Sequence, residues 1–163
     1  MLSLQRFCLL TCAMAMLQAV ILTDVRADTE NIEFTDCYIT VGPKVVKVHA
    51  GYCRITNQRK TAVAIVGAAS KAYGKIELHQ STIEDGIASM RQLRNMTLAP
   101  GQSIVLKPEG MHLMLMQPKV DVTPGDRVQI AFELKNGAII TVEFQAKAIV
   151  PKHHGSHHGQ IIN

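Results

Sequence analysis

Tryptophan is absent from this sequence and charge is scarce: 18% of its 163 residues are ionic against 47% apolar, for a formal net charge of +4. So small an excess, scattered along the chain, excludes the electrostatic hold on which nucleic-acid binding depends. Low-complexity sequence is nearly absent as well. With that apolar fraction the chain is not disordered, apart from its C-terminal tail. Beyond residue 27 no apolar run approaches the ~20 residues of a spanning helix, so the mature chain does not insert in a membrane. There is no C-x-x-C redox pair, no G-x-S-x-G, no H-E-x-x-H and no glycine loop of the kind that cradles phosphate. Enzymatic readings therefore find no footing, and the protein is not expected to be an enzyme. His49, alone on its strand, reads as a half-exposed structural histidine. No segment carries a 3.6-residue period, and no internal repeat is visible.

What is present begins with an export signal. Arg6 ends a short basic start, residues 7–22 are an almost uncharged apolar stretch, and Val25-Arg26-Ala27 offers small residues to a signal peptidase. Cys12 follows Thr11 rather than the small residue a lipid-modified leader carries, so cleavage after Ala27 is expected. The product is a soluble periplasmic chain, with one domain over 28–150 and a tail over 151–163. Cys8 and Cys12 leave with the signal, and Cys37 and Cys53 remain. Two thiols in an oxidising compartment are expected to form one structural disulfide.

The domain reads as strands. Val128, Ile130, Phe132 and Leu134 alternate with Arg127, Gln129 and Glu133; beyond Asn136-Gly137, Ile140, Val142 and Phe144 alternate with Thr141, Glu143 and Gln145. Asn-Gly between such runs predicts a hairpin with a type I′ turn. Further strand-like runs cover 32–41, 45–56, 61–69, 74–82, 103–107 and 111–117, separated by Pro and Gly. Residues 82–96 are the least strand-like part and read as a loop with short extended pieces. The expected fold is a single all-β, antiparallel Greek-key sandwich or barrel.

The chemistry gathers in Met111-His112-Leu113-Met114-Leu115-Met116. On a strand, His112, Met114 and Met116 share one face, and Met111, Leu113 and Leu115 the other. One imidazole and two thioethers make a soft donor surface, which selects Cu(I) over hard ions. A methionine-rich strand is as readily gap-filling core, and these residues alone leave both readings open. His79 lies on the Lys75/Glu77 side of its strand, opposite Ile76 and Leu78, and so points away from the core. With Met90 it completes a spacing H-x10-M-x21-H-x-M.

That spacing resembles the PCu(A)C family of periplasmic copper chaperones, small cupredoxin-like domains. The likeness extends to Glu77-Leu78-His79, the Glu84-Asp85-Gly86 turn, Met90-Arg91, Pro100-Gly101, Leu106-Lys107-Pro108 and Gly110-Met111-His112, with Tyr52 and Ile55-Thr56-Asn57 earlier. It covers roughly residues 32 to 148. The resemblance implies a cupredoxin-like fold and His79, Met90, His112 and Met114 as Cu(I) ligands, with Met116 outside the set. It also implies a monomer that hands Cu(I) to a membrane-anchored recipient, the copper centre of a cytochrome oxidase or an assembly factor. Tyr38 stands where many relatives carry Trp, and Cys37 and Cys53 stand at positions expected to be apolar. The absence of a thiolate among the four ligands argues against a blue-copper electron carrier.

Two other readings of the same residues are a copper-sequestering protein that delivers none, and a metal-free β-sandwich interaction module. Stoichiometric Cu(I) uptake separates the last from the others. In the tail, His153, His154, His157 and His158 crowd a solvated, flexible segment. Clustered imidazoles suit Cu(II) better than Cu(I), so a secondary Cu(II) site is expected there.

Overall fold

Alternation predicts strands, and in the computed structural model, which describes residues 31–149, strands carry all the regular structure of the described residues. In chain order they are β1 (Ile32–Val41), β2 (Val48–Asn57), β3 (Val63–Ala69), β4 (Tyr73–Glu84), β5 (Ile87–Leu93), β6 (Met96–Leu98), β7 (Ser103–Leu106), β8 (Met111–Pro118), β9 (Arg127–Leu134) and β10 (Ile139–Ala148). They join in one sheet of order β5-β4-β8-β2-β1-β10-β9-β3-β6, with β7 paired to β2. The pairs are antiparallel except β1 with β10, which run parallel. These two strands lie at opposite ends of the domain sequence. No short turn joins them, so nothing forces the antiparallel sense a hairpin requires.

Both ends of the sheet supply one core. Ile65 of β3, Ile76 and Leu78 of β4, Leu113 of β8 and Phe132 of β9 line a single cavity of about 90 Å³. Phe132 packs on Phe34 at 4.9 Å and on Phe144 at 6.2 Å between ring centroids. Asn57 is buried completely yet satisfied: its Nδ2 donates to the carbonyls of Thr61, Leu98 and Ala99 at 2.9–3.1 Å, and its Oδ1 accepts from Arg59 N at 3.0 Å. A buried amide with every partner made pins two loops together.

Three local features depart from the sequence expectations. Residues 82–96 are not a loop: β4 and β5 form a hairpin whose turn is Asp85-Gly86, with φ of 50° and 79°. That pair of positive φ values is what a two-residue type I′ turn demands. β5 shows no apolar alternation because it is an edge strand, exposed along all but its last residue. The hairpin at Asn136-Gly137 forms, but only Gly137 has positive φ (85°), and its N–H donates to Leu134 O at 2.8 Å. Lys135 and Asn136 are therefore the central turn residues, and Gly137 follows them in a left-handed bulge. In β1 a bulge falls between Thr35, opposite Arg54, and Tyr38, opposite Tyr52. Asp36 takes the positive φ (54°), and the extra residue switches the core-facing set from Ile32 and Phe34 to Cys37, Ile39 and Val41.

Candidate metal site

The site is built on the antiparallel register of β4 with β8. Lys75, Glu77 and His79 stand directly opposite Met116, Met114 and His112, while Ile76 and Leu78 stand opposite Leu115 and Leu113. The two sets occupy opposite faces, because side chains alternate along both strands. Leu113 and Leu115 are buried in the core, so the apolar set anchors β8 and turns His112 and Met114 to the other face. On the far side of β8, Ala50 of β2 faces Met114, and Val48 faces Met116. The small Ala50 leaves room beside the thioether. Met90 pairs with Ser81, and Gln92 pairs with His79, so Met90 is the diagonal neighbour of His79 on the same face. Diagonal neighbours lie within reach of long side chains. Met90 is 53% exposed on the edge strand.

Both imidazoles are held. The rings of His79 and His112 have centroids 6.0 Å apart with an interplanar angle of 38°. Two imidazole nitrogens bound to one ion at about 2 Å each keep their ring centroids within roughly 6 Å, so the pair can span a metal ion. His112 is buried, with its Nδ1 3.1 Å from Gly110 O. Nε2 of His79 lies 2.9 Å from Glu77 Oε2, and the other carboxylate oxygen takes Lys75 Nζ at 2.5 Å. Lys75, then His79, holds the Glu77 carboxyl below its ordinary range. Nδ1 of His79 is buried with no hydrogen-bond partner. Among the described residues no group of three or more His, Cys, Asp or Glu could hold a metal. A metal on this face therefore needs the thioethers, which are soft donors.

The four residues of the H-x10-M-x21-H-x-M spacing thus share one face, with His79 and His112 adjacent, Met114 next along β8 and Met90 at the exposed edge. Glu77 is the residue whose role the sequence reading missed. Its signal was present, two positions from His79 on the same strand face. Tyr38 packs on Tyr52 at 5.1 Å and under Lys147 Nζ at 4.5 Å. Cys37 and Cys53 face each other across the β1 bulge as free thiols. Interaction between the two thiols lowers the pKa of Cys37 and raises that of Cys53, and Cys37 Sγ donates to Thr35 O at 3.6 Å. The tail histidines His153, His154, His157 and His158, and the export signal, lie outside the described residues. Among the described residues there is no helix long and apolar enough to cross a membrane.

Residues 32–146 match the family described as "Putative lipoprotein LpqE-like", and the chain belongs to that family. It is 34% identical over 84 residues to "Uncharacterized protein RP573" of Rickettsia prowazekii (strain Madrid E), covering 51% of this chain and 46% of that protein. It is 25% identical over 99 residues to "Putative lipoprotein Lxx21020" of Leifsonia xyli subsp. xyli (strain CTCB07), covering 60% of each. The chain thus spans about half the length of the curated relatives it matches. Among solved structures, the copper-bound PCuAC domain from PmoF2 superposes with a TM-score of 0.63 at 12% identity, over 74% of this chain and 96% of that one. The Cu(I) form of DR1885 from Deinococcus radiodurans superposes with a TM-score of 0.56 at 27% identity, over 74% and 83%. The fold is that of the PCuAC domains, all-β and cupredoxin-like, as the resemblance implied.

Proposed function

We propose that the chain is an exported copper metallochaperone that binds Cu(I) through His79, Met90, His112 and Met114. It then passes the ion to a membrane-anchored recipient such as the copper centre of an oxidase. The observation that carries this reading is the His79–His112 pair, 6.0 Å between centroids, with Met114 on the same face. The likeness to Cu(I)-bound DR1885 supports it. Two imidazoles and two thioethers are neutral, so the ion keeps its single positive charge and the reduced state is favoured over Cu(II). The exposed Met90 on an edge strand suits release: an incoming donor replaces the outermost ligand first, while the buried His112 keeps its hold. The export signal and the lipoprotein description of the family both favour a location outside the cytoplasm.

An anaerobic Cu(I) competition titration tests the site. Met114→Ala is expected to lower Cu(I) affinity at least tenfold, about 1.4 kcal/mol, because water is a poor substitute for a thioether on a soft ion. Met114 contributes little core burial, so the fold persists in this variant. Parent-like Cu(I) binding by both Met114→Ala and His112→Ala overturns the assignment. Transfer of the bound ion to a copper-free recipient domain then separates delivery from storage.

A further inference from the structure

The His79 side chain poses a question that the four-ligand reading leaves open, namely which nitrogen faces the ion. A neutral imidazole carries one N–H and one lone pair, and an ionised carboxylate only accepts. Nε2 lies 2.9 Å from Glu77 Oε2, so the proton sits on Nε2. The lone pair is then on Nδ1, which is buried and has no hydrogen-bond partner. An unsatisfied buried acceptor is costly, and a bound cation is the partner that relieves it. His112 has the converse arrangement. Its Nδ1 faces the Gly110 carbonyl, which only accepts, so the proton sits on Nδ1 and the lone pair on Nε2.

Glu77 is itself fixed. Lys75 Nζ holds Oε1 at 2.5 Å, which leaves Oε2 for the imidazole. Lys75, Glu77 and His79 stand at alternate positions of β4, opposite Met116, Met114 and His112. The carboxylate therefore sits beside the donor set without needing to join it. Outer partners of this kind fix the orientation of a metal-bound imidazole and raise its basicity.

We propose that Glu77 is the positioning residue of this site: it keeps the proton on Nε2 of His79 and presents Nδ1 to a soft monovalent cation, while the Gly110 carbonyl presents Nε2 of His112. The inference deepens the copper reading above and rests on it for the identity of the ion. The two histidines thus bind through different nitrogens. Lys75 acts one step further out, by aiming the carboxylate.

The test is long-range ¹H–¹⁵N correlation of the imidazoles in the copper-free exported protein near pH 8, with Cu(I) competition on the same samples. The parent is expected to show Nε2–H at His79 and Nδ1–H at His112. Glu77→Ala should mix the tautomers of His79 alone and weaken Cu(I) binding about tenfold or more. Glu77→Gln, whose amide oxygen still accepts, should restore the Nε2–H form and most of the affinity. An Nδ1–H tautomer at His79 in the parent overturns the proposal. So does a Glu77→Ala protein with parent-like tautomer and affinity, and so does a Glu77→Gln protein that keeps the tautomer but binds as poorly as Glu77→Ala. Failure of the copper reading looks different: Met114→Ala and His112→Ala then bind Cu(I) like the parent, whatever the tautomers.

Discussion

Oxidation of Cys37 and Cys53 to a disulfide is expected to stabilise the exported domain, and the structure sets the scale. The two residues belong to β1 and β2 and face one another at the bulge, where Asp36 and Cys37 together oppose Cys53. Cys53 is 2% exposed within the core, and Cys37 packs against that same core. Both side chains turn to the core face of neighbouring strands, the placement a bridge between β1 and β2 requires. The closed loop is short, and constraining the unfolded chain over that length contributes about 3 kcal/mol in the chain-entropy account. For a domain of this size that corresponds to a Tm shift of roughly 10 °C. Intact-mass analysis after alkylation without reductant shows whether the freshly exported protein carries the bond. Thermal melts with and without reductant then read its contribution, and Cys37→Ala/Cys53→Ala should melt near the reduced parent. Two alkylated cysteines in freshly exported protein, or coincident melts of oxidised and reduced samples, refute the reasoning.

Asn57→Ala removes the hydrogen bonds to the Thr61, Leu98 and Ala99 carbonyls and from the Arg59 N–H, of which Ala99 O keeps a backbone donor, Gln102 N at 3.0 Å, and should cost about 3 kcal/mol in urea unfolding; a loss under 1 kcal/mol would show that water replaces the amide. Burial lowers the basicity of His49, whose Nδ1 shares a 2.8 Å hydrogen bond with the hydroxyl of Tyr73. The unfolded chain therefore binds the extra proton first, and stability should fall as pH drops below about 6.5, by at most about 1.4 kcal/mol per pH unit. Lys44, Lys47, Lys119 and Asp121 line the adjoining cavity, so His49→Gln and the parent should be compared at one salt concentration; an identical acid slope in the two would acquit His49. A chain ending at Pro151 should lose Cu(II) binding near neutral pH and keep its Cu(I) affinity, since the tail imidazoles must be neutral to bind; unchanged Cu(II) stoichiometry removes the tail from copper handling.

The division of β8 into a donor face and a core face could be read without any tertiary information. Alternation is a property of one extended strand, so Met111-His112-Leu113-Met114-Leu115-Met116 carries its own sorting. The same holds for His79 against Ile76 and Leu78 on β4. β5 escaped because the only force that writes a pattern into a strand is burial of one face, and this edge strand buries neither. The Asp36 bulge escaped for a related reason: the alternation of Ile32 and Phe34 and that of Ile39 and Val41 are each regular, and only pairing with β2 shows that their phases differ. Tertiary structure alone decided the register that sets His79 against His112, the parallel pairing of β1 with β10, and the placing of Glu77 Oε2 on the His79 ring. Each of these depends on which distant strand lies alongside and at what offset. That is settled by packing both ends of the sheet over one core, and a strand's own residues encode only which of its faces turns inward.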